Sequence, residues 1–370
     1  MKLYRESIWR EIVSSYESDS LAPSLLFSGP ESSGRLSLAL DLASFLGIDD
    51  IIFFPERNLG LQIEAAYNLL LEKYSSRFIS YFISRIKILL MQYHPALQSD
   101  GSEGGRDKLF SAAADISELL FELERLDTET ERDEILRISE SIYNASMRPD
   151  LLYRGKKKGS LSVDEVRAVQ NYLVRKSGKA MVIIENIENS NDSVRNALLK
   201  VLEEPYKESY FVLISSNSLR ILTTILSRLR KYSFSPLPDK ELNLYLRENF
   251  LTSKDYDSFN DFVFEMCTDE KDRMKITESA RMFSSSLVSG DYPGIDELDD
   301  IFSSLEKNRP YFISMVLKDL RRSFSDGRLK AAKAYSIVKA LDDASLSNEV
   351  YNQNMRSALD LALREAGFVG

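Results

Sequence analysis

Apolar runs and helix-spaced segments alternate along two stretches of this chain. Residues 24–28 (Ser-Leu-Leu-Phe-Ser) form a short apolar run that ends at Gly29. The segment that follows, up to Gly47, carries apolar residues at helical spacing, and its terminal glycine suits a C-cap. Strand, glycine loop and helix in that order open a parallel α/β unit. The same alternation returns at Val163. VDEVRAVQNYLVRK reads as a helix, and 180–184 (AMVII) as a continuous apolar strand of the kind buried on both faces. Residues 193–202 read as a helix closed by Glu203-Glu204-Pro205, 210–215 (YFVLIS) as a second buried strand, and 232–234 as a last short one. Pro236 and Pro238 then mark a domain boundary.

Between these stretches, at about 48–148, the pattern is helical. Residues 62–94 read as one or two long, aromatic-rich helices, and SDGSEGGRD (99–107) as a loop by composition. Residues 115–140 carry ten acids against three arginines, with Ile116, Leu119, Leu120 and Leu123 on one helical face, which reads as a solvated helix. After Lys240 the chain is helical throughout, broken once at 289–294, with apolar positions such as Leu359, Leu361 and Leu363 near its end. The most apolar stretch, 69–91, is interrupted by Glu72, Lys73, Arg77, Arg85 and Lys87, so it does not read as a membrane span. The first ten residues carry charges with no apolar run behind them, and the expectation is a cytosolic protein.

Composition narrows the chemistry. The 370 residues favour two or three domains, and 44 % hydrophobic residues supply a buried core. One cysteine, Cys267, and one histidine, His94, exclude an intramolecular disulfide and a structural zinc site, which wants four N/S ligands. With 48 basic against 57 acidic residues and a net charge of −9, free-standing nucleic-acid binding would need clustered positive charge. The one such cluster, Lys156-Lys157-Lys158 beside Arg154, is a candidate for phosphate contact or simply a solvated loop.

The glycine loop carries the sharpest signal. A phosphate-binding P-loop reads G-x-x-x-x-G-K-[ST]: backbone N–H groups cradle phosphates, the lysine reaches the terminal ones and the hydroxyl binds magnesium. Here Gly29 and Gly34 stand at that spacing, but the lysine is Arg35 and the hydroxyl position is Leu36. Leucine offers no metal ligand, and arginine is a planar fork rather than a compact ammonium. The partner strand 182–184 should end in Asp-Glu, to hold the metal and orient water. It ends instead in Glu185-Asn186, and asparagine is a poor base. Both losses fall where magnesium-dependent hydrolysis is most exacting.

The segment from Val163 to Arg230 resembles the AAA+ core of bacterial clamp-loader subunits, most of all the delta-prime family of DNA polymerase III. The resemblance rests on Asn196-Ala-Leu-Leu-Lys200-Val-Leu-Glu203-Glu204-Pro205 and on Thr224-Ile-Leu-Ser227-Arg228, which are similar to that family's NALLKxLEEP and TILSRC signatures. It covers about 24–47 and 149–236, more weakly the helical last third. It implies a P-loop AAA+ domain with a parallel sheet (1–236), a small helical lid (237–273) and an all-helical collar that serves oligomerisation (274–370). It also implies that the helical segment 48–148 replaces the family's four-cysteine zinc module, before a stretch Arg148-Pro149-Asp150 where the family has His-Pro-Asp.

The same resemblance assigns roles. Arg228, with Ser227, would be an arginine finger that enters a neighbouring subunit's ATP site, and Leu229 stands where the family has cysteine. Ser216 would occupy the γ-phosphate sensor position. Gly29, Gly34, Arg35, Leu36, Glu185 and Asn186 would form a degenerate nucleotide site, with ADP or ATP not required and zinc absent. The implied partners are gamma/tau and delta subunits, with the sliding clamp and primer–template DNA reached through the assembly and no membrane. Two alternatives stay open: an active loader ATPase of the same fold, and a silent AAA+ adaptor.

Overall fold

The computed structural model describes residues 5–57, 59–98, 105–154, 161–291, 309–351, 355–365 and 367. Two compact units are present, Met1–Val263 and Phe264–Gly370. Most of the loop read at 99–107, the lysine cluster 156–158 and the chain just beyond Asp291 lie outside the described residues.

The first unit opens with α1 (Glu6–Glu17), β1 (Ser24–Ser28), α2 (Arg35–Leu46) and β2 (Ile51–Phe54). Helices α3 (Leu59–Glu72), α4 (Ser76–Leu90), α5 (Gly105–Arg125) and α6 (Arg132–Ser146) follow, then the single turn α7 (Pro149–Leu152). The chain continues through α8 (Val163–Arg175), β3 (Ala180–Glu185), α9 (Asp192–Glu203), β4 (Ser209–Ser215), α10 (Thr223–Leu226) and β5 (Arg230–Ser233). Helix α11 (Asp239–Phe250) comes next, and α12 (Phe259–Cys267) spans the border between the units. The five strands form one parallel sheet in the order β2-β3-β4-β1-β5, the α/β class that the sequence indicates.

Strand β3 is buried along its whole length, as a parallel strand covered on both faces must be. Leu26, Val182, Ile184, Phe211 and Leu213 pack with Val166 and Val169 of α8 and Leu198 and Val201 of α9. The alternate positions Leu25, Phe27, Ile183 and Val212 point to the opposite face and are equally buried. Burying each such side chain contributes about 1.5–3 kcal/mol.

Strand β2 corrects the reading of 48–148 as wholly helical. Ile51–Phe54 is the sheet edge, with Ile52 opposite Val182. Four apolar residues are too few for periodicity to separate strand from helix. The acidic stretch is two helices, α5 and α6, broken at 126–131, where the Asp127 carboxylate accepts from Glu129 N–H and the Thr130 hydroxyl. Around them Ile63, Phe78, Phe82, Ile86, Ile116, Ile138 and Ile142 are buried, and Tyr67 stacks on Tyr143 at 4.3 Å. Two cations of this segment reach the end of α11. Lys73 Nζ donates to the carbonyls of Phe250 and Leu251 (3.2 and 3.3 Å), and Arg77 Nη1 to that of Glu248 at 2.5 Å.

In the second unit, α13 (Glu270–Ser289), α14 (Arg309–Ser325), α15 (Ala331–Tyr351) and α16 (Met355–Glu365) enclose a core of Ile276, Phe283, Phe312, Val316, Ile337, Leu359 and Leu363. Leu361 is exposed, because two residues along a helix is a rotation of about 200° away from its neighbours' face. Among the described residues no helix is long and apolar enough to cross a membrane, and no group of three His, Cys, Asp or Glu is placed to hold a metal ion.

His94 ties the helical segment to the sheet. Its Nε2 donates to Asp50 Oδ1 at 2.7 Å, and its Nδ1 accepts from Ala96 N–H at 3.0 Å, the bonding of a neutral ring. Asp50 also accepts from Tyr172 (2.8 Å) and pairs with Lys176. Burial lowers the His94 pKa from its ordinary 6.5, against the opposing pull of Asp50. Burial pushes the Asp50 carboxyl up, but hydrogen bonds from Lys176 and Tyr172 bring it below its ordinary 3.8. The unfolded chain therefore binds more protons than the fold in both windows. Stability is expected to fall as pH drops below 6.5, through His94, and again below 3.8, through Asp50. Urea titrations across pH 7 to 5 check this: His94→Gln should flatten the slope there, while His94→Ala, which leaves Asp50 short of a donor, should cost about 1–3 kcal/mol at neutral pH.

Candidate functional site

Strands β3, β4 and β1 are neighbours, so their carboxyl ends bring together the three segments singled out in the sequence. Ser28 lies opposite Ser215, and Glu185 opposite Ile214, which sets the glycine loop, Glu185 and Ser216 along one edge. Open parallel sheets bind ligands at this edge.

The glycines are there for identifiable reasons. A Cβ on Gly29 would lie 2.3 Å from the Phe234 carbonyl oxygen, so the loop leaves β1 through a gap that admits only hydrogen. Gly34 is left-handed (φ 85°, ψ 12°) at the N-cap of α2. The loop is then fastened from three sides. Gly29 N–H donates to the Ser215 carbonyl (3.1 Å), and the Ser32 hydroxyl to Asn260 Oδ1 of α12 (2.8 Å). Arg5 donates from Nε to the Ser33 carbonyl (2.9 Å) and from Nη2 to that of Ser235. Burial lowers the Arg5 pKa, with Glu241 opposing. The sequence reading missed Arg5, since nothing in a lone N-terminal arginine points to a loop 28 residues on.

Arg35 and Leu36, the first residues of α2, are both buried, 7 % and 4 % exposed. Leu36 therefore serves the core and offers no oxygen. Arg35 Nη1 is buried with no hydrogen-bond partner among the described residues, and so is Ser33 Oγ, two positions earlier in the chain. Burial lowers the Arg35 pKa, and the charge of Glu185 opposes this. A buried guanidinium nitrogen at a helix N-terminus is where an anion's oxygens would be held.

Glu185 is already engaged. Arg57, on the loop after β2, donates from Nε to both carboxylate oxygens (2.8 and 3.0 Å) and from Nη2 to Oε1, while Glu56 N–H donates to Oε2 at 3.2 Å. The Glu185 side chain is 4 % exposed and that of Arg57 28 %. Burial lowers the Arg57 pKa, but the charge and hydrogen bonds of Glu185 outweigh it, leaving the net shift upward. With Leu36 giving no ligand and Glu185 neutralised by an internal cation, this donor set does not fit a magnesium ion, which needs oxygen ligands in octahedral array. Asn186, left-handed at φ 46°, ψ 49°, begins a short turn. Glu188, two positions on, was not singled out in the sequence. Its Oε1 accepts from Ser216 N–H (2.8 Å), the Ser216 hydroxyl (2.9 Å) and Asn217 N–H (3.0 Å). The Ser216 hydroxyl thus donates to a carboxylate of its own chain.

Arg228 lies at the other edge of the sheet. It precedes β5, whose Arg230 is opposite Leu25, and it lines an open pocket of about 520 Å³ with Pro23, Ser24, Leu202, Glu203, Pro205 and Ser227. Four strand steps of about 3.3 Å separate Ser24 from Ser28, so this edge is some 13 Å from the glycine loop. Arg228 Nη2 pairs with Glu203, and Nη1 donates to the Thr224 carbonyl and to Ser227 Oγ (3.3 Å). With side chains 29 % and 48 % exposed, the Arg228–Glu203 pair contributes about 0–1 kcal/mol. Asn196, Lys200 and Glu204 are exposed on and just after α9, and Pro205 is half-buried.

Residues 105–238 match a family model described as DNA polymerase III, delta subunit. This chain resembles DNA polymerase III delta-prime subunits. That of Escherichia coli K12 is 33 % identical over 119 residues, 31 % of this chain and 36 % of the relative. Replication factor C subunit 3 of Saccharomyces cerevisiae is 22 % identical over 192 residues, 46 % of this chain and 54 % of its own length. A solved structure of a DNA polymerase III gamma subunit-related protein from Thermotoga maritima shares 17 % identity at a TM-score of 0.29, covering 60 % of this chain and 87 % of that one. The chain thus spans about a third to a half of the length of these sequence relatives. The delta-family match opens at 105, where α5 begins, so the second half of the helical segment 48–148 lies inside the family's territory.

The Arg57–Glu185 pair is expected to stabilise the sheet edge measurably. Arg57→Ala leaves a buried carboxylate with one backbone donor, and should lower stability by roughly 1–3 kcal/mol. The double variant Arg57→Ala/Glu185→Gln should recover part of that loss, as read by urea denaturation.

Proposed function

We propose that this chain is a non-hydrolysing, delta-prime-like subunit of a replicative clamp loader, and that Arg228 completes the ATP site of a neighbouring subunit. The observation that carries the reading is the contrast between the two edges of the sheet. At the carboxyl edge, Glu185 is neutralised by Arg57 and Leu36 is part of the core, so the residues that would bind magnesium do other work. At the amino edge, Arg228 shares an open pocket with Ser24, the residue of β1 that lies four strand steps, about 13 Å, from the end carrying the glycine loop, and its side chain is partly exposed. This placement supports a role on another chain's phosphates, where such a residue raises rates by about 10³–10⁵.

On this reading the partners are the ATP-hydrolysing gamma/tau subunits and delta. The clamp and primer–template DNA are engaged by the assembly, in the cytosol. Nucleotide is not needed for the role. The unpartnered Arg35 Nη1 and the N-terminal amides of α2 nevertheless favour a secondary capacity to hold the phosphates of ADP or ATP without metal and without turnover.

Two assays test the proposal. The purified chain is expected to show no magnesium-dependent ATP turnover, and fluorescent-nucleotide binding, where present, should not depend on magnesium. Turnover abolished by Arg35→Ala would instead establish the active-ATPase alternative. In a reconstituted loader, Arg228→Ala should lower turnover at the ATP site that it completes by about 10³–10⁵, read as the loss of that site's share of the clamp- and DNA-stimulated ATPase. Unchanged ATPase would end the trans role, and failure to assemble would favour the adaptor.

A further inference from the structure

Glu203 ends α9, and the proposed role gives it no task. Its carboxylate is nevertheless what holds Arg228, 25 positions away in the chain. The guanidinium is turned onto its own subunit at both terminal nitrogens: Nη2 meets Glu203, while Nη1 meets the Thr224 carbonyl and Ser227 Oγ. Its Nε is buried with no hydrogen-bond partner among the described residues, as is Ser24 Oγ in the same pocket. An arginine fork satisfied by local acceptors is not presented to a ligand. Before Arg228 can reach a phosphate, Nη2 must leave Glu203. The pair is half open to water, so a phosphate with more negative charge, brought up on a neighbouring surface that excludes water, competes well against it.

We infer that Glu203 is a positioning residue that parks Arg228 against its own subunit and releases it when a phosphate-bearing partner docks at this edge. The inference rests on the trans role of Arg228, but the parking itself is a property of the isolated chain and is tested there. Glu203→Gln keeps the shape of an exposed side chain at a helix end, so the fold should hold, as a thermal melt would verify. In the isolated full-length chain, modification by p-hydroxyphenylglyoxal, followed at Arg228 by peptide mass mapping, should accelerate about threefold in the variant, a factor suited to an exposed ion pair. Arg230, paired with Glu11, is the internal control and should not change.

In the reconstituted loader, the same variant should lower the half-saturating ATP concentration about threefold with kcat retained, and the difference should close at high salt, where the pair is screened. Equal or slower modification of Arg228 would overturn the inference, as would a variant loader whose half-saturation is unchanged or raised. Arg228→Ala, run in parallel, separates the two levels. If it leaves the loader's ATPase unaltered while Glu203→Gln still exposes Arg228, the parking stands and the trans role falls.

Discussion

Because all five strands run in one direction, their ends sort into two chemically different edges. Loops that leave carboxyl ends gather at one, and loops that enter amino ends gather at the other. Everything of functional interest in the first unit follows from that sorting. The glycine loop, Glu185 and Ser216 meet because β1, β3 and β4 are neighbours. Arg228 is kept from them because it precedes a strand rather than following one. An antiparallel partner at any of these positions would have mixed the two edges and removed the separation between the glycine loop and Arg228.

At the carboxyl edge the acids are held by donors of the chain itself. Glu185 is matched by Arg57, and one oxygen of Glu188 by three donors from residues 216 and 217. Breaking such a buried pairing costs more than the pairing contributes, since it strands a charge out of water. A metal ion that used Glu185 would have to displace Arg57, with no hydroxyl at position 36 to help hold it. The arrangement therefore keeps its architecture without the metal, and Arg35, with its unpartnered nitrogen, is the one feature of the edge that still faces an anion's chemistry.

Much of this was legible in the sequence because it depends on local pattern. Gly29 and Gly34 are recognisable from spacing, and the loss of lysine and hydroxyl at Arg35 and Leu36 is read directly. Strands β3 and β4 announce themselves as continuous apolar runs. What escaped depends on distance. Arg57 meets Glu185 across 128 positions, and its short loop carries no motif. Glu188 carries no motif of its own, and its donors lie 28 and 29 positions away, just past the end of β4. Strand β2 was lost because four apolar residues have no measurable period, and Leu361 was grouped with its neighbours although helical rotation sends it outward.

The helical segment after β2 also acquires a physical role. The last carbonyls of any helix lack partners and carry partial negative charge, so cations placed there are favourable by about 0.3–1 kcal/mol each. Lys73 and Arg77 fill that need at the end of α11, where Leu251 adopts a left-handed conformation to turn the chain. Ser32 of the glycine loop binds Asn260 at the start of α12. The two helices that follow the sheet are thus held by the chain's own side chains, one from the helical segment and one from the loop itself.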